Sequence, residues 1–117
     1  PIATIRNPRA SRMRPHPNLA GSDGAKPRRA RVTHKAATSG DYQLVICDEI
    51  NNAVNDGLLS IEQLQKLIEH RKPGTSLCLT GRNFPDSLMP MTDIATNMTK
   101  IKHHFDDKFL ANQGIDF

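Results

Sequence analysis

Tyr42 to Asn51 reads YQLVICDEIN, and this run constrains the fold more than any other part of the chain. Leu44, Val45, Ile46 and Cys47 form a continuous apolar stretch leading into paired acids, Asp48 and Glu49. A short apolar run of this kind predicts a strand buried on both faces, as in a parallel sheet. Open α/β sheets bind their ligands at the carboxyl ends of the strands, which is where the two carboxylates stand. In nucleotide-binding proteins an acid at this place, the Walker B position, holds the magnesium of a nucleoside triphosphate, directly or through water. The partner motif, GxxxxGK followed by Ser or Thr, does not occur in the sequence. None of the seven glycines precedes a Lys-Ser or Lys-Thr pair. The sequence therefore carries half of a phosphate site.

Charge divides the chain unevenly. Residues 1–41 hold nine Lys and Arg against two acids, a balance of +7, whereas residues 42–117 hold seven against ten, a balance of −3. Five of the eight prolines also fall in the first segment, which has few large apolar residues. Such a segment buries too little surface to offset chain entropy, so 1–41 is expected to be a disordered leader and 42–117 the folded α/β region. A core of that size is marginal without a staple or a partner, which predicts a homo-oligomer or a partner chain. No apolar stretch approaches the ~18 residues of a membrane span, and the N-terminus lacks a signal-peptide apolar region. A cytoplasmic protein without a membrane partner is expected. Cys47 and Cys78, both inside strand-like runs, are expected to be free buried thiols.

The remaining elements follow from periodicity and punctuation. Asn51 to Gly57 predicts a short helical turn. Ser60 with Gln63 fits a capping box, and Ile61, Leu64, Leu67 and Ile68 recur at helical spacing until Pro73 and Gly74. Ser76 to Thr80 predicts a second buried strand, Pro85 to Met91 a short helix, and Asp93 to Lys102 a third strand. Strands alternating with helices at this pitch predict βαβ units.

Thr80-Gly81-Arg82-Asn83 also follows a buried strand. Gly81 permits a close backbone approach, and the Arg82 guanidinium suits phosphate oxygens. His103-His104 with Asp106-Asp107 is a poor chelate, because neighbours on an extended chain point to opposite sides. The basic leader suits nucleic-acid phosphates but has no aromatic residue for base stacking. A nucleic-acid partner is therefore not expected. An organellar transit segment would need an amphipathic period that the leader does not show.

From Tyr42 to Phe117 the chain resembles the P-loop type ATP:corrinoid (cob(I)alamin) adenosyltransferases. The resemblance rests on YQLVICDEINNAVNDGLLS, then SLCLTGRN, then DIATNMTKIKHHFDDKFLANQGIDF, in this order and spacing. It implies a P-loop NTPase-like, RecA-like, three-layer architecture lacking its phosphate-loop portion. It also implies transfer of the 5′-deoxyadenosyl group of ATP to the cobalt of a reduced corrinoid, with release of triphosphate. ATP and the corrinoid are then substrates and magnesium the cofactor. Glu49 and Asp48 are the implied metal ligands, Asn51 and Arg82 lie by the nucleotide, and Lys102 and His103 occupy the family's Lys-His pair. The family's glycine-rich loop and the aromatic segment over the corrinoid have no counterpart here. The chain by itself is thus expected to be inactive or incomplete. Two other readings stand beside this one: a non-catalytic partner subunit of a full-length homologue, and a basic nucleic-acid-binding protein.

Overall fold

The computed structural model describes residues 1–6 and 25–107. Six regular elements alternate along the chain: β1 (Ile2–Arg6), α1 (Ala25–Ser39), β2 (Leu44–Asp48), α2 (Ile50–Asn55), α3 (Ile61–Glu69) and β3 (Ser76–Leu79). Two 3-10 turns follow, Asp86–Met91 and His104–Asp107. The strands form one parallel sheet in the order β1-β2-β3. In register, Ala3 pairs with Val45 and Ile5 with Cys47, while Val45 pairs with Leu77 and Cys47 with Leu79. Because the strand order advances in one direction, crossovers of the usual hand place their helices on one face.

That face is the core. Val45, Cys47, Ala37, Leu64, Leu67, Ile50 and Leu88 form a single buried cluster, flanked by Ala3, Ile5, Leu77 and Leu79 from the outer strands. The other face of the pleat carries Ile2, Thr4, Leu44, Ile46, Ser76 and Cys78. Ile2 is 66% exposed, Ser76 and Cys78 are exposed, and Leu44 and Ile46 are half-buried. The described residues thus build two of the three expected layers, and β2 is buried fully on one face only.

The helix at Ser60 forms as its sequence predicts. The Ser60 hydroxyl accepts from the Gln63 N–H at 3.1 Å, and the Gln63 side chain accepts from the Ser60 N–H at 2.9 Å. This reciprocal pair satisfies two amides that a helix start leaves free. Leu64 and Leu67 are buried, while Ile61 at the helix start is exposed. Beyond α3 the chain is tied back to the first layer. Lys72 N–H donates to Ala37 carbonyl, and the buried Thr75 hydroxyl donates to Tyr42 carbonyl.

Beyond the one-sided burial of β2 and the half-exposed β3, both expected to be buried, three expectations differ from what is observed. Residues 1–41, read as an unstructured leader, contain β1 and α1; the division at residue 41 falls in the connection between α1 and β2. The average over that segment hides two local patterns. Ile2, Thr4 and Ile5 are β-branched and suit a strand. Residues 25–39 are alanine-rich with no interior glycine, and Pro27 sits in the first turn, where a missing N–H is tolerated. Small residues suffice for docking here, since Ala37 is fully buried and Thr33 nearly so. The rest of the leader, 7–24, lies outside the described residues, as does 108–117.

Asp93 to Lys102, expected as the third strand, is irregular and exposed. Ile94, Met98 and Ile101 are 86%, 91% and 98% exposed. The third strand of the sheet is β1 instead. Finally, Cys78 is exposed on the open face of β3, not buried. Cys47 is buried, and both thiols are free. Cys47 lies on the core face and Cys78 on the opposite one, so the pleat itself separates them.

Candidate functional site

β2 and β3 are parallel neighbours, so their carboxyl ends meet at one edge of the sheet. Glu49 stands between β2 and α2 with φ 56° and ψ 27°, the left-handed conformation. A non-glycine residue holds that conformation at a cost of about 1–3 kcal/mol, and its surroundings hold it here. The Glu49 N–H donates to Thr80 Oγ1 at 2.9 Å. The same hydroxyl donates to Asp48 Oδ1 at 3.1 Å. Two residues on, the Asn51 N–H donates to the Thr80 carbonyl at 3.2 Å. Thr80 thereby ties the end of β3 to Asp48, the last residue of β2, and to Glu49 and Asn51 just after it.

The second Asp48 oxygen is also engaged. Arg6, at the end of β1 and in register with Asp48, places Nε 3.2 Å from Oδ2. Arg6 is largely exposed, so this ion pair adds little stability; what it does is occupy the carboxylate. Glu49 is different. Its Oε2 is buried without a hydrogen-bond partner, and so is Oδ1 of Asn51, a residue only 4% exposed. A buried acceptor left unpaired costs about 1–3 kcal/mol, so two neighbouring orphans at a strand end mark a place for a ligand that supplies donors or positive charge.

Gly81 closes the cluster. Its φ is +123°, and a Cβ there would meet Asn52 Oδ1 at 2.9 Å and Asn51 Cβ at 3.0 Å. Glycine is thus required for both conformation and contact. The following residue is fixed through its backbone: Arg82 N–H donates to Asn52 Oδ1 at 2.9 Å, and Arg82 carbonyl accepts from Asn55 Nδ2 at 2.8 Å. The Arg82 side chain itself is exposed.

The structure brings together Asp48, Glu49, Asn51 and the backbone of Arg82. Lys102 and His103 stand exposed on the irregular stretch after the Asp86–Met91 turn. Sequence reasoning missed Arg6, Asn52 and Asn55 as parts of this edge, and named Thr80 only as the start of the Gly81 turn. Arg6 becomes visible only through its register with Asp48; the signal for Thr80 was its place at a strand end beside Gly81.

A magnesium ion takes one or two protein carboxylates and completes its shell with waters and substrate phosphates. The orphaned Glu49 oxygen fits that demand, whereas Asp48 is already held by Arg6 and Thr80. Among the described residues no group of three or more His, Cys, Asp or Glu could hold a metal. Nor is any described helix long and apolar enough to cross a membrane.

Comparison with known proteins places this edge in context. The chain is 35% identical over 75 residues to a corrinoid adenosyltransferase of Sinorhizobium sp., an alignment covering 63% of this chain and 35% of that one. It is 29% identical over 87 residues to a corrinoid adenosyltransferase of Pseudomonas aeruginosa, covering 74% and 43%. The matched stretch thus spans less than half the length of these curated relatives. No solved structure matches it. Residues 20–117 match the family described as ATP:corrinoid adenosyltransferase BtuR/CobO/CobP. That match takes in α1, both acid-bearing and glycine-bearing strand ends and the last residue of the chain, and the chain belongs to the ATP:corrinoid adenosyltransferase family.

Proposed function

We propose that the strand-end cluster is the metal and triphosphate side of an ATP:corrinoid adenosyltransferase site in a P-loop type sheet. The observation that carries this is the buried, unpartnered Glu49 Oε2 beside the unpartnered Asn51 Oδ1 at the carboxyl end of β2. Glu49 would hold magnesium, which supplies positive charge to the triphosphate as it leaves. Asp48, fixed by Arg6 and Thr80, keeps the turn in place and adds negative charge behind it. Asn51 presents an acceptor to a water or hydroxyl donor of the bound nucleotide. Gly81 lets the backbone pass close to Asn51, and Arg82 offers a guanidinium to phosphate oxygens.

The chemistry is a displacement at the 5′ carbon of ATP. The cobalt–carbon bond forms, the carbon–oxygen bond to triphosphate breaks, and the electron pair comes from the reduced cobalt. That nucleophile needs no activation, so the protein contributes position and electrostatic stabilisation of the leaving group. Lys102 and His103 are proposed to contact the substrates, and the cytoplasm is the proposed location. The cradle of amides and the lysine of a phosphate loop are not in this sequence. Removing one preorganised donor costs about 2.7–4 kcal/mol in other enzymes. The chain alone is therefore expected to give no measurable adenosylation.

The test is to join this chain to the part of the Sinorhizobium relative that lies outside the match. Adenosylation of reduced cobalamin is then followed with ATP and magnesium. Restored turnover that falls at least about 100-fold in Glu49→Gln supports the reading. Turnover in the fusion that is indifferent to Glu49→Gln would overturn it. Turnover by the unjoined chain would show that the phosphate site lies elsewhere.

A further inference from the structure

His34 on α1 and His70 at the end of α3 meet on the outside of the helix layer, away from the strand-end cluster in sequence and in chemistry. His34 Nε2 lies 3.4 Å from His70 Nδ1. The ring centroids are 5.6 Å apart and the rings are nearly perpendicular, at 83°. The contact is exposed.

As a hydrogen bond the contact is long, beyond the about 2.7–3.2 Å of good N–H···O bonds, and so holds the two rings only weakly. A shared metal accounts for it well. Two imidazole nitrogens at about 2.0–2.1 Å from one tetrahedral ion stand about 3.3–3.4 Å apart. The rings meet edge-on rather than stacked. His70 is also the residue that ends α3, where the helix presents its negative partial charge to a cation.

We propose that His34 and His70 form a two-histidine site for a divalent transition-metal ion, with water in the remaining positions. Nitrogen donors select zinc, nickel or copper(II) over magnesium, so this site is chemically distinct from the carboxylate edge. The site therefore suits ions that bond strongly to imidazole and gives no purchase to hard cations. Binding bridges α1 to α3, two helices that already touch in the fold. An ion that binds only the folded chain stabilises it by mass action.

The experiment uses the full, untagged chain at pH 7.5. Titration with nickel or zinc by calorimetry should show saturable binding of a single ion, with a rise in the melting temperature. His34→Gln and His70→Gln should each weaken binding more than about tenfold. The double change of His16→Ala and His104→Ala should leave it intact. Imidazole nitrogen NMR on the unmodified chain guards against variants that fail to fold. Substoichiometric nickel should broaden the His34 and His70 resonances before any other histidine. Absence of saturable binding, unchanged binding in both glutamine variants, or another histidine broadening first would each overturn the proposal.

Discussion

Thr80 is one side chain with two obligations. Its hydroxyl donates to Asp48 and accepts from the Glu49 N–H. Thr80→Val keeps the shape and removes both, leaving the left-handed Glu49 turn without its restraint. The expected loss is about 1–3 kcal/mol, read from the shift of the urea midpoint. Thr80→Ser, which keeps the oxygen, should lose much less; equal losses in the two variants would assign the effect to packing. The cysteines make a second pair of opposites. Burial, and next the nearby Cys78 thiol, push Cys47 from its ordinary 9.0 up to about 12. The native state therefore holds this proton more tightly than the unfolded chain does. The associated stability is complete below pH 9 and is lost as pH rises from 9 towards 12. Alkylation at pH 8 should modify the exposed Cys78 rapidly and Cys47 only at the rate of unfolding. Rapid labelling of both would contradict the packing of β2.

Among the elements, α3 shows how a local signal becomes a fixed start. The Ser60–Gln63 box was readable from spacing alone, and the structure forms both of its bonds. The box also orders Glu62, whose carboxylate lies below its usual range, first through its own backbone N–H and then through Ser60. Ser60→Ala should cost about 1 kcal/mol, with the largest rise in amide exchange in the first turn of α3. α1 argues the other way. Its charge suggested solvent, yet small residues, Ala37, Thr33 and the partly buried Ala36, bring its inner side against the core. A helix can carry a basic outer face and a narrow inner stripe of small residues, and net charge reports only the first.

The sheet as a whole is one-sided. Val45, Cys47, Leu64 and Leu67 are buried, while Ile2 and Cys78 on the opposite face are exposed. Leu64→Ala should therefore cost about 2–5 kcal/mol. Cys78→Ser and Ile2→Thr should each stay within about 0.5 kcal/mol in the same chain. Denaturant melts compare them directly, and a large loss at Cys78 would mean that the open face is covered in solution. Parallel sheets are ordinarily covered on both faces. The alignments cover 35% and 43% of its curated relatives.

β2, α3, β3 and the acid-bearing strand end were legible in the sequence because each is a local pattern: an apolar run, a capping box, a Gly-Arg turn after a strand. The register was not. Whether Asp48 is free or held depends on Arg6, 42 residues away, and on Thr80, 32 residues away. Only strand pairing brings these three side chains together. The sequence pattern pointed to Asp93–Lys102 as the third strand, and Ile2–Arg6 lay inside the segment expected to be disordered. Both have strand-like composition, and the decision lies in which can set alternate apolar residues over α1 and α3. Ala3 and Ile5 do so. Local patterns determined which segments become helix or strand; long-range pairing decided which carboxylate is left with an unpartnered oxygen, because hydrogen-bond satisfaction depends on neighbours in space.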